Sequence, residues 1–224
     1  MTVLRWLHLL EDLLFPSQVL CPLCREHQLG ELECCSSCLA QLGPLWKMTT
    51  LSGKLTASLF TYQGYGRQVI QQMKFHGGYR GAVAVGALLG RALRESPEFS
   101  QVDLLVPVPL HPSRKERRGY NQAEALVHGI LSRWRRPVFT GVLRVRDTPA
   151  QSGLSLEQRK ANLQQAFALA GAADLSGKVC LVIDDVLTSG STFRVVAHVL
   201  EKHGAACLGA FAAQALLENT KKQT

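Results

Sequence analysis

Long apolar runs are missing from this chain: no segment approaches the roughly 18 consecutive apolar residues of a membrane-spanning helix. The start, residues 4–15, comes nearest to a secretory leader. Arg5 is its one early charge, His8, Glu11 and Asp12 interrupt the apolar run, and no small-residue cleavage site follows. It reads instead as an amphipathic helix with Leu7, Leu10 and Leu14 on one stripe, and the chain as cytoplasmic. Low-complexity tracts and repeats of useful length are also missing, so a folded domain is expected. Acidic residues are scarce, 17 against 25 basic ones, for a net charge of +8. Aromatic residues make up 7%, and Tyr120 and Trp134 are the main ones beside the basic runs, so the stacking platform usual for single strands is not evident. Two nucleotide signatures fail as well. Residues 171–178 have one spacer too many for a P-loop and lack its terminal Ser/Thr, and Gly64-Tyr65-Gly66 lacks the rest of a dinucleotide fingerprint.

What is present begins with cysteine. Five of the seven cysteines fall between Cys21 and Cys38, arranged as Cys21-Pro22-Leu23-Cys24 and Cys35-Ser36-Ser37-Cys38. Two Cys-x-x-Cys knuckles this close supply four thiolates, the complement of a closed, structural zinc site. A reducing compartment disfavours a disulfide framework; a redox switch is the alternative. Cys34 could replace Cys35 as a ligand, and His27 is a further candidate. The metal would provide most of the folding free energy of so small a segment. The expected division is a zinc ribbon with its leading helix over 1–45, ending near Gly43-Pro44, and a larger domain over 50–224.

The larger part is organised around residues 179–192. Val179 to Ile183 is a continuous apolar run, the pattern of a strand buried on both faces. It leads into Asp184 and Asp185, then Val186 and Leu187, then the hydroxyl-rich turn Thr188-Ser189-Gly190-Ser191-Thr192, then a helical run over 193–203. A turn of that kind at a helix N-terminus favours phosphate. The two acids would repel the phosphate unless they hold sugar hydroxyls or a divalent cation. This run resembles the phosphoribosyl-pyrophosphate (PRPP) motif of type I phosphoribosyltransferases. The resemblance implies that Asp184 and Asp185 hold ribose hydroxyls and that residues 186–192 hold the 5′-phosphate.

Further strands are expected at 58–62, 102–109, 138–142 and 205–212, and helices at 67–73, 81–94 and 122–134. Alternation of this kind argues for an α/β domain with a mostly parallel sheet covered on both faces. Lys74, ahead of Gly77-Gly78, resembles the loop that approaches pyrophosphate, though a lysine ending a helix is also an ordinary C-terminal charge. Arg114, Arg117 and Arg118 sit in a basic loop beyond a strand's carboxyl end, where open α/β sheets place ligands, and their forked donors suit phosphates. Residues 144–153 read as a polar lid, with Ser155 and Gln158 starting a helix and Arg159 and Asn162 either bracing it or touching ligand. Cys180 and Cys207 fall in apolar strands and read as core.

The stretch PVPLHPSRKERRGYNQA (107–123) and the Thr148, Gln151, Leu154, Arg159, Asn162 series are similar to the signatures of the competence protein F family (ComF, ComFC and GntX-like proteins). The resemblance implies a zinc ribbon followed by a phosphoribosyltransferase-like domain and a part in natural competence, DNA uptake or use of external DNA. Two readings follow. One is a phosphoribosyltransferase of unknown acceptor that takes PRPP with Mg²⁺, with Asp184, Asp185 and Lys74 at the reacting centre. The other is a non-catalytic adaptor that senses PRPP or a nucleotide and binds single-stranded DNA or DNA-processing proteins.

Overall fold

The computed structural model describes residues 20–29, 33–43, 46–75, 77–146, 165–171 and 173–216. The helix expected at 4–15, most of the lid at 144–153 and the helix start carrying Arg159 and Asn162 lie outside the described residues.

The amino-terminal part is a knuckle around Cys21–Cys24, closed by a bridge between Leu20 and Gln28, and helix α1 (Ser36–Leu42). A hairpin follows, β1 (Lys47–Leu51) and β2 (Lys54–Thr61), then helices α2 (Gly64–Gln72) and α3 (Tyr79–Glu95). Next come β3 (Leu104–Pro107), α4 (Pro112–Arg118), α5 (Gln122–Arg133) and the short strands β4 (Val142–Arg144) and β5 (Phe167–Leu169). The order ends with β6 (Val179–Leu187), α6 (Ser191–Glu201) and β7 (Ala206–Gln214).

Five strands form one sheet in the order β1-β2-β7-β6-β3, parallel except for the β1–β2 hairpin, while β4 and β5 pair antiparallel by themselves. The interior position of strand β6, between β7 and β3, explains why its sequence is apolar without alternation. Leu181 and Ile183 join one core with α3 and α5, while Cys180 and Val182 join a second core with α6. Side chains alternate across a strand, so both faces must be apolar. Helix α6 supplies Phe193, Val196, Ala197 and Leu200 to the second core, spaced for one helical face, and Phe193 meets Phe211 of β7 edge-on at 5.9 Å.

The other face is covered by α3 and α5, which nearly touch. A Cβ at Gly129 would stand 2.0 Å from Val83 O, and one at Gly86 would stand 2.1 Å from Leu126 O. That approach is closed to any larger residue and accounts for the Ala/Gly/Val-rich composition of α3.

The structure departs from the sequence expectation at several elements. Strand β6 runs on through the acids to Leu187, because Asp184, Val186 and Leu187 stay in parallel register with Phe211, Ala213 and Gln214 of β7. The basic stretch expected as a loop forms α4, capped by His111, whose Nδ1 accepts from Ser113 N at 3.4 Å. The strand expected at 138–142 is a single bridge of Val138 to Leu105, with β4 beginning at Val142.

Candidate functional site

Strands β6 and β3 are parallel, so their carboxyl ends meet at one edge of the sheet. The acid pair lies on the last turns of β6, and the pleat turns the two carboxylates to opposite faces. Asp185 faces the α2–α3 side, where Lys74 Nζ stands 3.3 Å from its Oδ2. Asp184 faces the α6 side and lines a cavity of about 50 Å³ together with residues 186–193 and Phe211. Its Oδ1 accepts the backbone N–H of Asp185 at 2.9 Å. Burial, and then the neighbouring Asp185 charge, push the Asp184 carboxyl up to about 8, against the smaller opposing pulls of that N–H, Lys74 and Arg144. Arg144 comes from β4, its guanidinium 5.4 Å from the Phe167 ring centre.

The turn after β6 is held from several sides. Arg194 donates both terminal nitrogens to Ser189 O, at 2.9 and 2.7 Å, and Ser189 Oγ lies 2.8 Å from Ser191 Oγ. Gly190 caps α6 at φ +73°, and a Cβ there would fall 2.2 Å from Leu51 Cδ2. Only glycine satisfies both the left-handed backbone and the hairpin side chain pressed against it. The result is a hydroxyl-lined turn at a helix N-terminus whose cap residue is a glycine and whose Ser191 N–H reaches Ser189 Oγ at 3.4 Å, beside a carboxyl pushed well above the usual carboxylate range.

Lys74 is positioned through α2. The Met73 carbonyl just before it accepts from the Tyr120 hydroxyl and from Gln122 Nε2, the latter at 3.2 Å. Gln122 Oε1 accepts in turn from Arg118 Nη1 at 3.0 Å. Asn121 caps α5 through Ala123 N at 3.0 Å and holds Val108 O with its amide, also at 3.0 Å. Thus a polar network running from Arg118 ends on the carbonyl of the residue before Lys74. Arg114 is half-buried on α4, and Arg117 is exposed in its last turn. Tyr120, Asn121 and Gln122 fall within the 107–123 stretch that carries the family resemblance, but nothing in the sequence pointed to their contacts with Met73 O and Val108 O.

The cysteines converge. Sγ atoms of Cys21, Cys24, Cys35 and Cys38 all lie within 4.8 Å of one another, with Cys21–Cys38 and Cys24–Cys35 each at 3.8 Å. Four sulfurs bound to zinc at ~2.3 Å stand ~3.8 Å apart at the corners of a tetrahedron, so the donor set fits a metal such as zinc. Backbone N–H groups support it: Cys35 N donates to Cys21 Sγ at 3.3 Å and Cys38 N to Cys35 Sγ at 3.4 Å. Burial works against ionisation of Cys24, yet the Glu26 backbone and the His27 ring, 3.5 Å from its sulfur, outweigh it and bring it down to about 6. Cys35, not Cys34, belongs to the set. Cys34 is fully buried beside it, and burial pushes its thiol up to about 12.

Residues 115–222 match the Phosphoribosyl transferase domain family. The chain is 34% identical over 176 residues to competence protein F of Haemophilus influenzae, covering 76% of this chain and 73% of that protein. It belongs to the competence protein F family. The DNA utilization protein YhgH of Escherichia coli K12 is 32% identical over 196 residues, covering 85% of this chain and 82% of that protein. Among solved structures, the glutamine PRPP amidotransferase of B. subtilis complexed with ADP and GMP matches with a TM-score of 0.45 at 16% identity, over 75% of this chain and 36% of that one. In this chain the acid pair and hydroxyl turn stand at the carboxyl edge of a mostly parallel sheet, and the cysteine cluster precedes it. Among the described residues no helix is long and apolar enough to cross a membrane.

Proposed function

We propose that this edge binds PRPP with Mg²⁺ in the service of competence or use of external DNA. The 5′-phosphate would rest on residues 186–192, the ribose hydroxyls on Asp184 and Asp185, and the pyrophosphate toward Lys74 and the α4 arginines Arg114, Arg117 and Arg118. The observation that carries this reading is the junction of unlike parts at one strand end: a carboxyl raised by burial, a second one paired with Lys74, and a turn open to an anion. Sugar hydroxyls donate to carboxylates, while phosphates take N–H groups and cations, so one phosphosugar meets every part. Mg²⁺ would neutralise the leaving pyrophosphate, and the Cys21, Cys24, Cys35, Cys38 set would hold a structural Zn²⁺.

Calorimetric titration with PRPP and Mg²⁺ tests the reading. Saturable binding to the wild-type chain, lost on Asp184→Asn plus Asp185→Asn, is expected; no binding by the wild type, or undiminished binding by the variant, would remove it. Pyrophosphate release across a panel of bases and amines then separates roles: release marks a transferase, and a blank panel favours a sensing adaptor.

One observation favours DNA as a partner. Phe75 is 69% exposed and Tyr79 41% exposed, in the segment that carries Lys74 and Arg80. Exposed rings among cations are what stacking on single strands requires; Tyr79 is steadied by an edge contact with Tyr120 and by His128 at its hydroxyl, so Phe75 would be the freer stacking ring. Phe75→Ala with Tyr79→Ala should weaken binding of a labelled single-stranded oligonucleotide by about 10-fold or more at fixed salt. Equal affinity of variant and wild type would point to a protein partner instead.

A further inference from the structure

The loop that delivers Lys74 is gripped from the cysteine cluster. Arg25, the residue after Cys24, extends Nη2 to Gly77 O at 2.6 Å, across 52 positions of sequence. It does so from a left-handed backbone, φ +62°, inside the turn that the cysteines close, where Cys21 N bonds His27 O at 2.8 Å and Cys21 O accepts Arg25 N at 2.8 Å. A second contact runs to the other end of α2. The Tyr65 hydroxyl lies 2.9 Å from Cys38 Sγ, and a metal-bound thiolate there would accept its hydrogen bond. Between the two contacts the seam has both packing and space: Leu23 joins Val69, Ile70 and Met73 in one buried core, and beside it a partly open cavity of about 250 Å³ is lined by Leu23, Arg25, Met73 and Phe75. Beyond that core the exposed loop is held by polar clasps, and both start from residues whose geometry depends on the cysteines. The ribbon side is itself anchored, since Glu33 Oε1 takes Arg133 Nε at 2.8 Å and Arg91 Nη2 at 3.2 Å.

We infer that the cysteine-cluster turn controls the Lys74 loop, with Arg25 and Tyr65 as positioning residues, so that metal occupancy and ligand binding at the acid pair are coupled. A filled cluster fixes the turn, Arg25 fixes Gly77, and Lys74 is held on Asp185 where the pyrophosphate of the proposed ligand would arrive. Loss of the metal frees the loop. By reciprocity, ligand at the acid pair must tighten the metal by the same factor. The functional half of this inference rests on the PRPP reading; the mechanical half does not.

Amide exchange separates the two halves. The loop's own amides are suitable reporters, since Phe75 N bonds Gln72 O at 3.2 Å and Gly78 N bonds Phe75 O at 3.0 Å. In the full-length, metal-loaded chain, Arg25→Met with Tyr65→Phe should speed exchange across residues 74–78 by about 10-fold, with metal content unchanged and Arg25→Lys restoring part of the protection. Mg²⁺–PRPP affinity should fall by about 10-fold in the double variant. In the wild type, the same ligand should slow metal transfer to a chelator by the factor that metal loading adds to ligand affinity. Unchanged exchange in a variant that keeps its metal overturns the mechanical grip. Faster exchange with unchanged PRPP affinity overturns the coupling. If the wild type binds no PRPP, the ligand assignment and the coupling both fall, and the exchange data still decide the grip.

Discussion

Asp184 and Asp185 are neighbours in sequence that answer to different parts of the fold. Asp185 is paired with Lys74, whereas Asp184 sits where burial and its neighbour raise its pKa from 3.8 to about 8. The folded chain therefore keeps a proton on Asp184 that the unfolded chain has lost between about pH 4 and pH 8. Stability must fall as pH rises through that window. Asp184→Asn removes the slope: at pH 8 the variant should be more stable by ~1–2 kcal/mol, a value reduced for partial exposure, and near pH 4 the gap should close. Denaturant titrations across pH test this, and parallel curves for the two proteins would refute it. Ligand hydroxyls need the carboxylate as acceptor, so PRPP binding should release up to one proton below pH 8 and tighten as pH rises toward it. Calorimetry in buffers of different ionisation enthalpy reads that proton directly. The acid pair, Lys74 and the cysteines were legible from sequence because each is a local pattern. Arg25, Tyr65, Tyr120 and Gln122 were not, since their partners lie far along the chain and a hydrogen bond to Gly77 O or Met73 O leaves no trace in composition.

At the scale of elements, the legible ones are those with a burial period. The apolar run of β6 and the small-residue face of α3 each serve a packed core, and their type follows from it. Strand β1 escaped because it is an edge strand, mostly exposed, with no apolar alternation to mark it. Helix α4 escaped because none of its residues is buried, so its residues show no periodicity. Strands β4 and β5 are three residues each, below what any pattern resolves. Two substitutions test the close approaches. Gly190→Ala forces a Cβ into Leu51 at a positive φ and should cost ~1–3 kcal/mol while abolishing phosphate affinity. Combining it with Leu51→Ala should recover part of the stability but, because the backbone remains strained, not all of it. Gly129→Ala, aimed at Val83 O, should cost a similar ~1–3 kcal/mol and leave ligand affinity per folded molecule nearly unchanged. Thermal melts alongside ligand titrations distinguish the two; a Gly129→Ala protein with wild-type stability would mean that α3 and α5 move apart freely.

For the whole molecule, a metal at the cysteine cluster would be the largest single lever. The segment with the four cysteines has little core of its own, so a metal at this cluster contributes folding free energy there. Freshly reduced protein should carry about one zinc per chain, and chelation should lower Tm by roughly 10 °C or more. Stoichiometry well below one with an unshifted melt would show that the thiols hold together without metal. The positive balance of the chain gives a further whole-molecule expectation: affinity for a single-stranded oligonucleotide should drop steeply with salt.

Glu33 makes the two parts of the protein hard to separate. Its carboxylate is nearly sealed off, and it is the shared counter-ion of Arg91 on α3 and Arg133 on α5, the same two helices that nearly touch through their glycines. A protein truncated ahead of the first strand would leave two half-exposed guanidinium groups facing each other across a helix pair without their shared counter-ion. Such a remnant should come out of cells poorly soluble even though its sheet is entire, and the natural unit for expression, crystallisation or evolution by recombination is the undivided chain.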